Sequence, residues 1–469
     1  LSTIQIRNPR TGQYDYKIHP PTTAQLAGLA NQMRHGQLAW EQAGVAGRVA
    51  AMQAWKDSFA RHRDQVVAAL SVDTGRRAES IMEADLLGPS IDRWCRIATE
   101  LFGHPETRPS AVPFVQIEQG LVPYQLVGVI SPWNFPLLLS IIDAIPALLA
   151  GCAVLVKPSE VTPRFLAPLQ ASIAEVPLLR EVFSYVAGAG PTGADLVQHA
   201  DLICFTGSTA TGKKVYQAAA ERFIPVFLEL GGKDPAIVMA SADVELATSS
   251  LLWGSVVNAG QSCLSIERIY VDQSIYHQFV DRLVAKAERL GLAYPDYGSG
   301  QIGPIISAPQ AQIIAEHLRD AVDQGARILT GGHLTHEGGG DWCRPTVLVD
   351  VHPDMKVMRE ETFGPIMPVV PFAEVEEALA LANGTIYGLS GAVFAGTNEE
   401  ALQVARRLQG GAISINDSAL TAIVHEGEKN SFKMSGLGGT RMGPAAIRRF
   451  MRQKAFLVKN QPIASPWWF

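Results

Sequence analysis

The sequence is poor in several things that would place it in a well-marked class. Its 469 residues include only five cysteines, Cys95, Cys152, Cys204, Cys263 and Cys343, and no CxxC pair. An odd count without paired spacing argues against a disulfide framework and a zinc ribbon, and points to a reducing compartment, so the expected location is the cytoplasm. Charge is sparse: 18% of residues are charged and the net charge is −6, which speaks against a nucleic-acid partner. Aromatics are 7%, and neither a solenoid-length repeat nor a low-complexity segment is present. An unbroken apolar span is also missing. Between residues 126 and 156 the only charge is Asp143, but Pro132, Pro136 and Pro146 break the run into a short apolar strand, a helix beginning at a proline and a β-branched strand. That pattern suits a buried α/β core better than a membrane span. The sequence begins at Leu1 rather than Met, which leaves room for a leader upstream.

What is present is an alternation. The chain is 47% hydrophobic, enough for two or three domains with large cores. Residues 22–43 and 47–74 carry helical apolar spacing, so the first hundred residues are expected to be helical. The run 112–129 partly alternates, as exposed strands leading into a core strand would. From 126 to 230, and again from 235 to 382, strand-like and helix-like runs alternate, with helices expected at 244–259, 275–290 and 308–324. This is the form of βαβ units around parallel sheets, and a boundary falls near 231–235. The fold class read from it is α/β.

Several short motifs sit where strands end. Residues 188–193 fit GxGxxG, but the acidic residue expected about 20 positions on is missing, so the match is weak. The segment Gly207-Ser208-Thr209 starts a helix directly after a strand, either as an ordinary cap or as an anion-binding helix terminus that includes Gly212. Lys157, Ser159 and Glu160 follow another strand, as a solvated loop pair or as contacts to a ribose diol. Glu229 lies in an apolar strand end before Leu230-Gly231-Gly232, as a salt-bridged strand residue or as a general base. Cys263 stands among small and amide residues in NAGQSC, as an inert core thiol or as a nucleophile with room for a substrate. Trp133-Asn134-Phe135-Pro136 places an amide donor at a strand end with aromatic walls, and Glu361 and Phe363 are expected on one side of an extended segment.

Together, WNFP, KPSE, FTGS, ELGGK, NAGQSC and EETFGP, in this order and at these distances, resemble the NAD(P)-dependent aldehyde dehydrogenase superfamily of the non-acylating, hydrolytic type. The resemblance implies a Rossmann-like cofactor domain at 1–104 and 124–230, a catalytic domain at 231–425, and a small β oligomerisation element with the C-terminal tail at 105–123 and 426–469. It implies a homodimer or homotetramer. It makes Cys263 the nucleophile, Asn134 and the Cys263 N–H the oxyanion site, and Glu229 the base that activates water. The implied cofactor is NAD, with NADP admitted. Its contacts would be Ser131, Pro132, Trp133, Lys157, Ser159, Glu160, Gly207, Ser208, Gly212, Leu230, Glu361 and Phe363.

The sequence also departs from the family pattern. Where many members carry PFGG, this chain has Glu428-Lys429-Asn430-Ser431, so Lys429 takes the place of an aromatic. A common lysine is Asp143 here, and a proton-relay glutamate used by some relatives has no clear match near 439–441. The expected tunnel residues Leu137, Leu138, Ile142, Trp253 and Val257 are apolar, which predicts a neutral aromatic or aliphatic aldehyde; a succinic semialdehyde-type substrate is the alternative, through Lys429 or His425. Glu229 argues against a CoA-acylating relative, which does not need that base, and Cys263 with Glu229 argues against a non-enzymatic descendant. No metal site is read. The final Pro466-Trp467-Trp468-Phe469 is expected to pack on protein rather than on a bilayer.

Overall fold

The β-branched runs pair into two parallel cores in the computed structural model, which describes residues 3–102 and 106–460. The first sheet has the order Gly436–Leu437, Val226–Glu229, Leu202–Thr206, Leu126–Ile130, Ala153–Lys157, Phe183–Tyr185. Every pairing is parallel except that of Gly436–Leu437 on Val226–Glu229. Its central strands Leu126–Ile130, Ala153–Lys157 and Leu202–Thr206 are buried at every position, which is why they read as unbroken apolar runs rather than as alternation. From Leu126–Ile130 the chain winds one way through 153–185 and then crosses to 202–229 on the other side. Ligands bind such sheets where the winding reverses, beyond the carboxyl ends of the strands. Ser131, Gly207, Lys157 and Leu230 stand at those ends.

The second sheet runs Arg327–Thr330, Thr346–Val349, Ile366–Phe372, Ile266–Asp272, Asp234–Val238, Ser390–Phe394, Ala412–Ile415, parallel except at the first pair. Two separate apolar clusters fill the cores. One spans residues from Leu26 to Leu230 together with Ala446, Ile447 and Phe450. The other lies between Ala236 and Leu408. The loops 230–233, 257–265 and 360–365 enter three neighbouring strands of the second sheet, so topology alone gathers ELGGK, NAGQSC and EETFGP.

A third, antiparallel sheet joins Val115–Pro123 to Glu106–Pro109 and, over its whole length, to Met451–Lys459. Met451–Lys459 lies on the outer edge, with Leu457 72% exposed.

Helices Thr23–Gln42, Gly44–Thr74 and Ala78–Phe102 account for the helical spacing of the first hundred residues, the first closed by a capping box between Thr22 and Gln25. That spacing hid a hairpin, Ile4–Arg7 with Tyr14–Ile18, whose strands are too short to show alternation. The doubtful stretch 126–156 is strand, helix Pro136–Ala150 and strand, buried almost throughout. Among the described residues no helix is long and apolar enough to cross a membrane. The aromatic tail lies outside the described residues.

Candidate active site

The thiol loop is built on strained backbone. The helix expected to reach 259 stops at Val256 instead, and Asn258, Ala259 and Gly260 adopt φ of 54°, 54° and 71°. Three successive left-handed residues are costly unless surrounding contacts hold them. Gly260 is required as well as tolerated, because a Cβ there would run into the carbonyl of Gly364. Gln261 staples the turn: its Nε2 donates to the carbonyls of Asn258 (2.9 Å) and Pro304 (3.2 Å), and its Oε1 accepts from the Ile306 N–H at 2.8 Å. Cys263 follows directly. It keeps some contact with solvent, while protein atoms enclose the sulfur and push the thiol up to about 12; Glu361 adds to the rise, and Lys429 opposes it. The other four cysteines are buried, without a polar loop around them.

Asn134 is buried against this loop. Its Nδ2 donates to the Gln261 carbonyl at 3.1 Å, and its own carbonyl accepts from Asn258 Nδ2 at 3.0 Å and Arg76 Nη2 at 2.6 Å. Arg76 pairs with Glu83, whose other oxygen accepts the N–H groups of Leu137 and Leu138, both at 3.0 Å. The N-terminus of Pro136–Ala150 is thus closed by a buried carboxylate from another helix, a charge-assisted use of free N–H groups. Sequence reasoning missed Arg76 and Glu83. Arg76 stands in the turn between two helices and Glu83 in the second of them; both read as surface charges, and only their burial tells them apart.

Glu229 ends its strand with one carboxylate oxygen accepting from Ser431 Oγ at 2.9 Å. Its charge acts on both Cys263 and Arg441. The glycines after it admit Glu361: the carboxylate occupies the space of a Gly231 side chain and accepts from the Gly232 N–H at 2.9 Å. At Gly232 a Cβ would stand 2.7 Å from the Cys263 carbonyl, so this backbone touches the thiol loop itself. Burial, followed by repulsion from Glu267, pushes Glu361 up to about 8.

The segment holding Glu361 and Phe363 is not extended, as the sequence suggested. Phe363 has φ 50°, because the N–H groups of Thr362 and Phe363 both turn onto Glu267, each at 2.8 Å. Lys233 supports this turn through Glu267 (2.5 Å) and Thr362 Oγ1 (3.0 Å). The Phe363 ring is thereby set edge-on to Trp133, with centroids 5.4 Å apart. Lys233 and Glu267 were not singled out from sequence; a buried ion pair 34 positions apart leaves no local pattern.

The remaining cofactor candidates line the carboxyl ends of the first sheet. Lys157 is buried and donates to the half-exposed Glu160 at 3.2 Å, with Ser159 buried between them. The glycine segment 188–193 adjoins them, since a Cβ on Gly193 would lie 3.9 Å from Lys157 Cδ. Ser208 caps helix Thr209–Glu221 through the Thr211 N–H (3.3 Å), and Gly212 lets that helix close on Leu230. Ser131 is buried, and its hydroxyl has no partner among the described residues. Pro132 is half-buried beside it. An orphaned buried hydroxyl, a helix N-terminus and a Lys–Glu pair at strand ends fit the phosphates and ribose of a dinucleotide. Leu137 and Ile142 are buried, Leu138 and Val257 partly so, and Trp253 is half-exposed.

The departures noted in the sequence come together behind Glu229. Asp143 is paired with Arg441 (Nη2–Oδ2 2.5 Å), both buried, and with the partly buried Arg449, and Arg441 also donates to Thr206 Oγ1 at 2.6 Å. Burial alone would raise the Asp143 carboxyl; the two guanidiniums overcome it and hold the group below its usual range.

Residues 2–456 match the aldehyde dehydrogenase family. Among curated proteins the chain is 34% identical to the "Putative succinate-semialdehyde dehydrogenase" (NADP+) of Mycolicibacterium smegmatis, over 94% of this chain and 86% of the relative. It is 35% identical to a 4,4'-diapolycopene aldehyde oxidase of Methylomonas sp, over 93% and 82%. Among solved structures it superposes on the "Putative Aldehyde Dehydrogenase PutA" of Anabaena variabilis with TM-score 0.98 and 58% identity, over the full length of both chains. The betaine aldehyde dehydrogenase of Staphylococcus aureus in complex with NAD+ gives TM-score 0.93 and 29% identity, over 100% of this chain and 94% of that one. With its fold and its motifs in the family's arrangement, the chain belongs to the aldehyde dehydrogenase family and is an NAD(P)-dependent oxidoreductase.

Proposed function

We propose that this chain oxidises a hydrophobic aldehyde to its carboxylic acid through a covalent intermediate on Cys263. The observation that carries the reading is the Asn134 amide. One of its two N–H groups is spent on the Gln261 carbonyl, two residues before the thiol, which leaves the second for an oxygen bound at Cys263. As the sulfur attacks the aldehyde carbon, that N–H and the Cys263 main-chain N–H stabilise the alkoxide. A thiol pushed up to about 12 is protonated at neutral pH, so its proton has to leave as the C–S bond forms; Glu229 is a carboxylate whose charge acts on the sulfur. When bound, NAD(P)+ supplies the hydride acceptor. Glu229 then takes a proton from the water that attacks the thioester and the acid is released; of the two protons given up, by the thiol and by the water, one returns to the sulfur and one leaves to solvent.

Ser131, Pro132, Trp133, Lys157, Ser159, Glu160, Gly207, Ser208, Gly212, Leu230, Glu361 and Phe363 are the cofactor contacts in this reading, and Glu160 favours NAD by repelling a 2′-phosphate. The domain limits proposed are 1–104 with 124–230, 231–425, and 105–123 with 426–469. The exposed edge Met451–Lys459 would join subunits of a homo-oligomer.

The apolar tunnel residues support a neutral aromatic or aliphatic substrate. A succinic semialdehyde-type substrate is the second reading, favoured by the action of the Lys429 charge on the Cys263 sulfur. Steady-state kcat/KM for benzaldehyde, hexanal and succinic semialdehyde separates the two. The hydrophobic reading expects the first two to lead. A preference for the acidic aldehyde that Lys429→Met abolishes establishes the second. Cys263→Ser retaining wild-type NADH formation would overturn both.

A further inference from the structure

Glu229 must lose, once per turnover, the proton it takes from water. On one side of it lies Arg441, whose guanidinium donates to Thr206 Oγ1, and Thr206 is the strand partner of Glu229. Against the effect of burial, Asp143 and then Glu229 hold Arg441 above the ordinary arginine range. A group that never deprotonates cannot pass a proton on. Asp143 behind it is buried and held ionised by two arginines. This arginine-capped cluster offers Glu229 no ready proton acceptor.

On the other side, Ser431 Oγ donates to Glu229 Oε2 at 2.9 Å. Ser431 is only partly buried, and its neighbour Phe432 is exposed. Its position is built into the sheet. Gly436 pairs with Glu229, and a Cβ on Gly436 would stand 2.7 Å from Ser431 Cβ, so this glycine lets the serine lie flat against the strand end.

We propose that Ser431 is the proton outlet of Glu229. This rests on the reading of Glu229 as the base. After water attacks the thioester, Glu229 carries the added proton. That proton moves from the carboxyl to Ser431 Oγ as the serine's own proton moves from Oγ to a solvent water. The carboxyl loses its O–H bond, Ser431 Oγ gains one and gives one up, and the solvent water gains one, so the serine ends unchanged with the carboxylate restored.

The test is pre-steady-state NADH formation followed into steady state, with Ser431→Ala, Ser431→Thr and Glu229→Gln. In Ser431→Ala the burst of NADH keeps its wild-type rate while steady-state turnover drops about tenfold, at the low end of what a positioned proton-transfer group contributes. Ser431→Thr restores turnover. Imidazole buffer, a small proton carrier, also accelerates Ser431→Ala and leaves wild type unchanged; a serine that merely positions Glu229 would show no such rescue. If Glu229→Gln hydrolyses its thioester normally, the base reading falls and the outlet falls with it. If Glu229→Gln is slow in hydrolysis and Ser431→Ala is not, or if Ser431→Ala is slow and imidazole does not help, the outlet alone is overturned.

Discussion

Arg76 donates to the main-chain oxygen of Asn134 at 2.6 Å while Glu83, its ion-pair partner, closes the helix that begins two residues beyond Asn134. A single buried pair therefore fixes both the peptide and the helix that aim the Asn134 amide. The guanidinium also lies over the Phe135 ring, 4.8 Å from its centroid. In the proposed reaction Asn134 has to meet an oxygen that becomes charged only in the transition state, and small displacements there cost rate.

Glu83→Ala should accordingly lower both stability and kcat. It leaves Arg76 buried without its counter-ion and two helix N–H groups open, a change that costs about 3–5 kcal/mol. Urea unfolding reads the first effect. Glu83→Gln, which keeps the shape and one acceptor, should fold better yet still lose kcat more than it raises KM. A wild-type kcat in a folded Glu83→Gln protein would remove the positioning role.

The thiol offers a pH test with a definite sign. Below its value of about 12, the thiolate fraction and the iodoacetamide labelling rate of Cys263 should rise about tenfold per pH unit in the cofactor-free protein. Glu361 is among the charges that raise it and itself titrates at about 8. Above pH 8 Glu361 is ionised and holds the thiol up; below pH 8 it is largely neutral and does not. Glu361→Gln should therefore label faster than wild type above pH 8, with the gap closing as pH falls. A constant ratio between the two proteins from pH 7 to 10 would show that Glu361 does not act on the sulfur by charge.

In the proposed reading, cofactor choice turns on the Lys157–Glu160 pair. Removing the carboxylate charge with Glu160→Gln takes away a repulsive group and frees the buried Lys157 ammonium for a phosphate. The expected shift in kcat/KM is about tenfold toward NADP, the scale of one charged hydrogen bond gained or lost. Titrating both cofactors against wild type and variant checks it, and an unchanged NADP/NAD ratio would mean that Glu160 plays no part in the choice.

The alternation of apolar strands and helices was legible because both faces of each sheet are covered, so hydrophobic runs and periodicity survive in the chain. The thiol, amide and carboxylate of the proposed site could be picked out because each stands in a short motif next to a strand. What could not be read depends on contacts between distant residues. Arg76 with Glu83 and Lys233 with Glu267 are ion pairs whose meaning lies in their burial, and charge alone does not announce burial. Asn258, Ala259 and Phe363 are left-handed without being glycine, so their turns carry no composition signal. Ser431 is an ordinary serine until Gly436 brings it onto Glu229.

Gly260 offers the sharpest test of the thiol loop. Alanine there meets two penalties at once. Its φ of 71° costs an L-residue about 1–2 kcal/mol. Its Cβ also strikes the Gly364 main chain, which cannot swing aside as a side chain can. Gly364→Ala is the natural control from the other side of the same contact. The nearest atoms its Cβ would meet are Ile314 Cδ1 at 2.7 Å and Cγ1 at 2.8 Å, in a side chain that can turn where a main chain cannot, and its φ is not in the left-handed region. If the close approach of these two backbones holds the thiol in place, Gly260→Ala loses both urea midpoint and aldehyde oxidation, while Gly364→Ala loses little of either. Equal, mild effects would mean that the loop can open without cost. The left-handed run before Cys263 would then be a feature of the resting chain and not a support for catalysis.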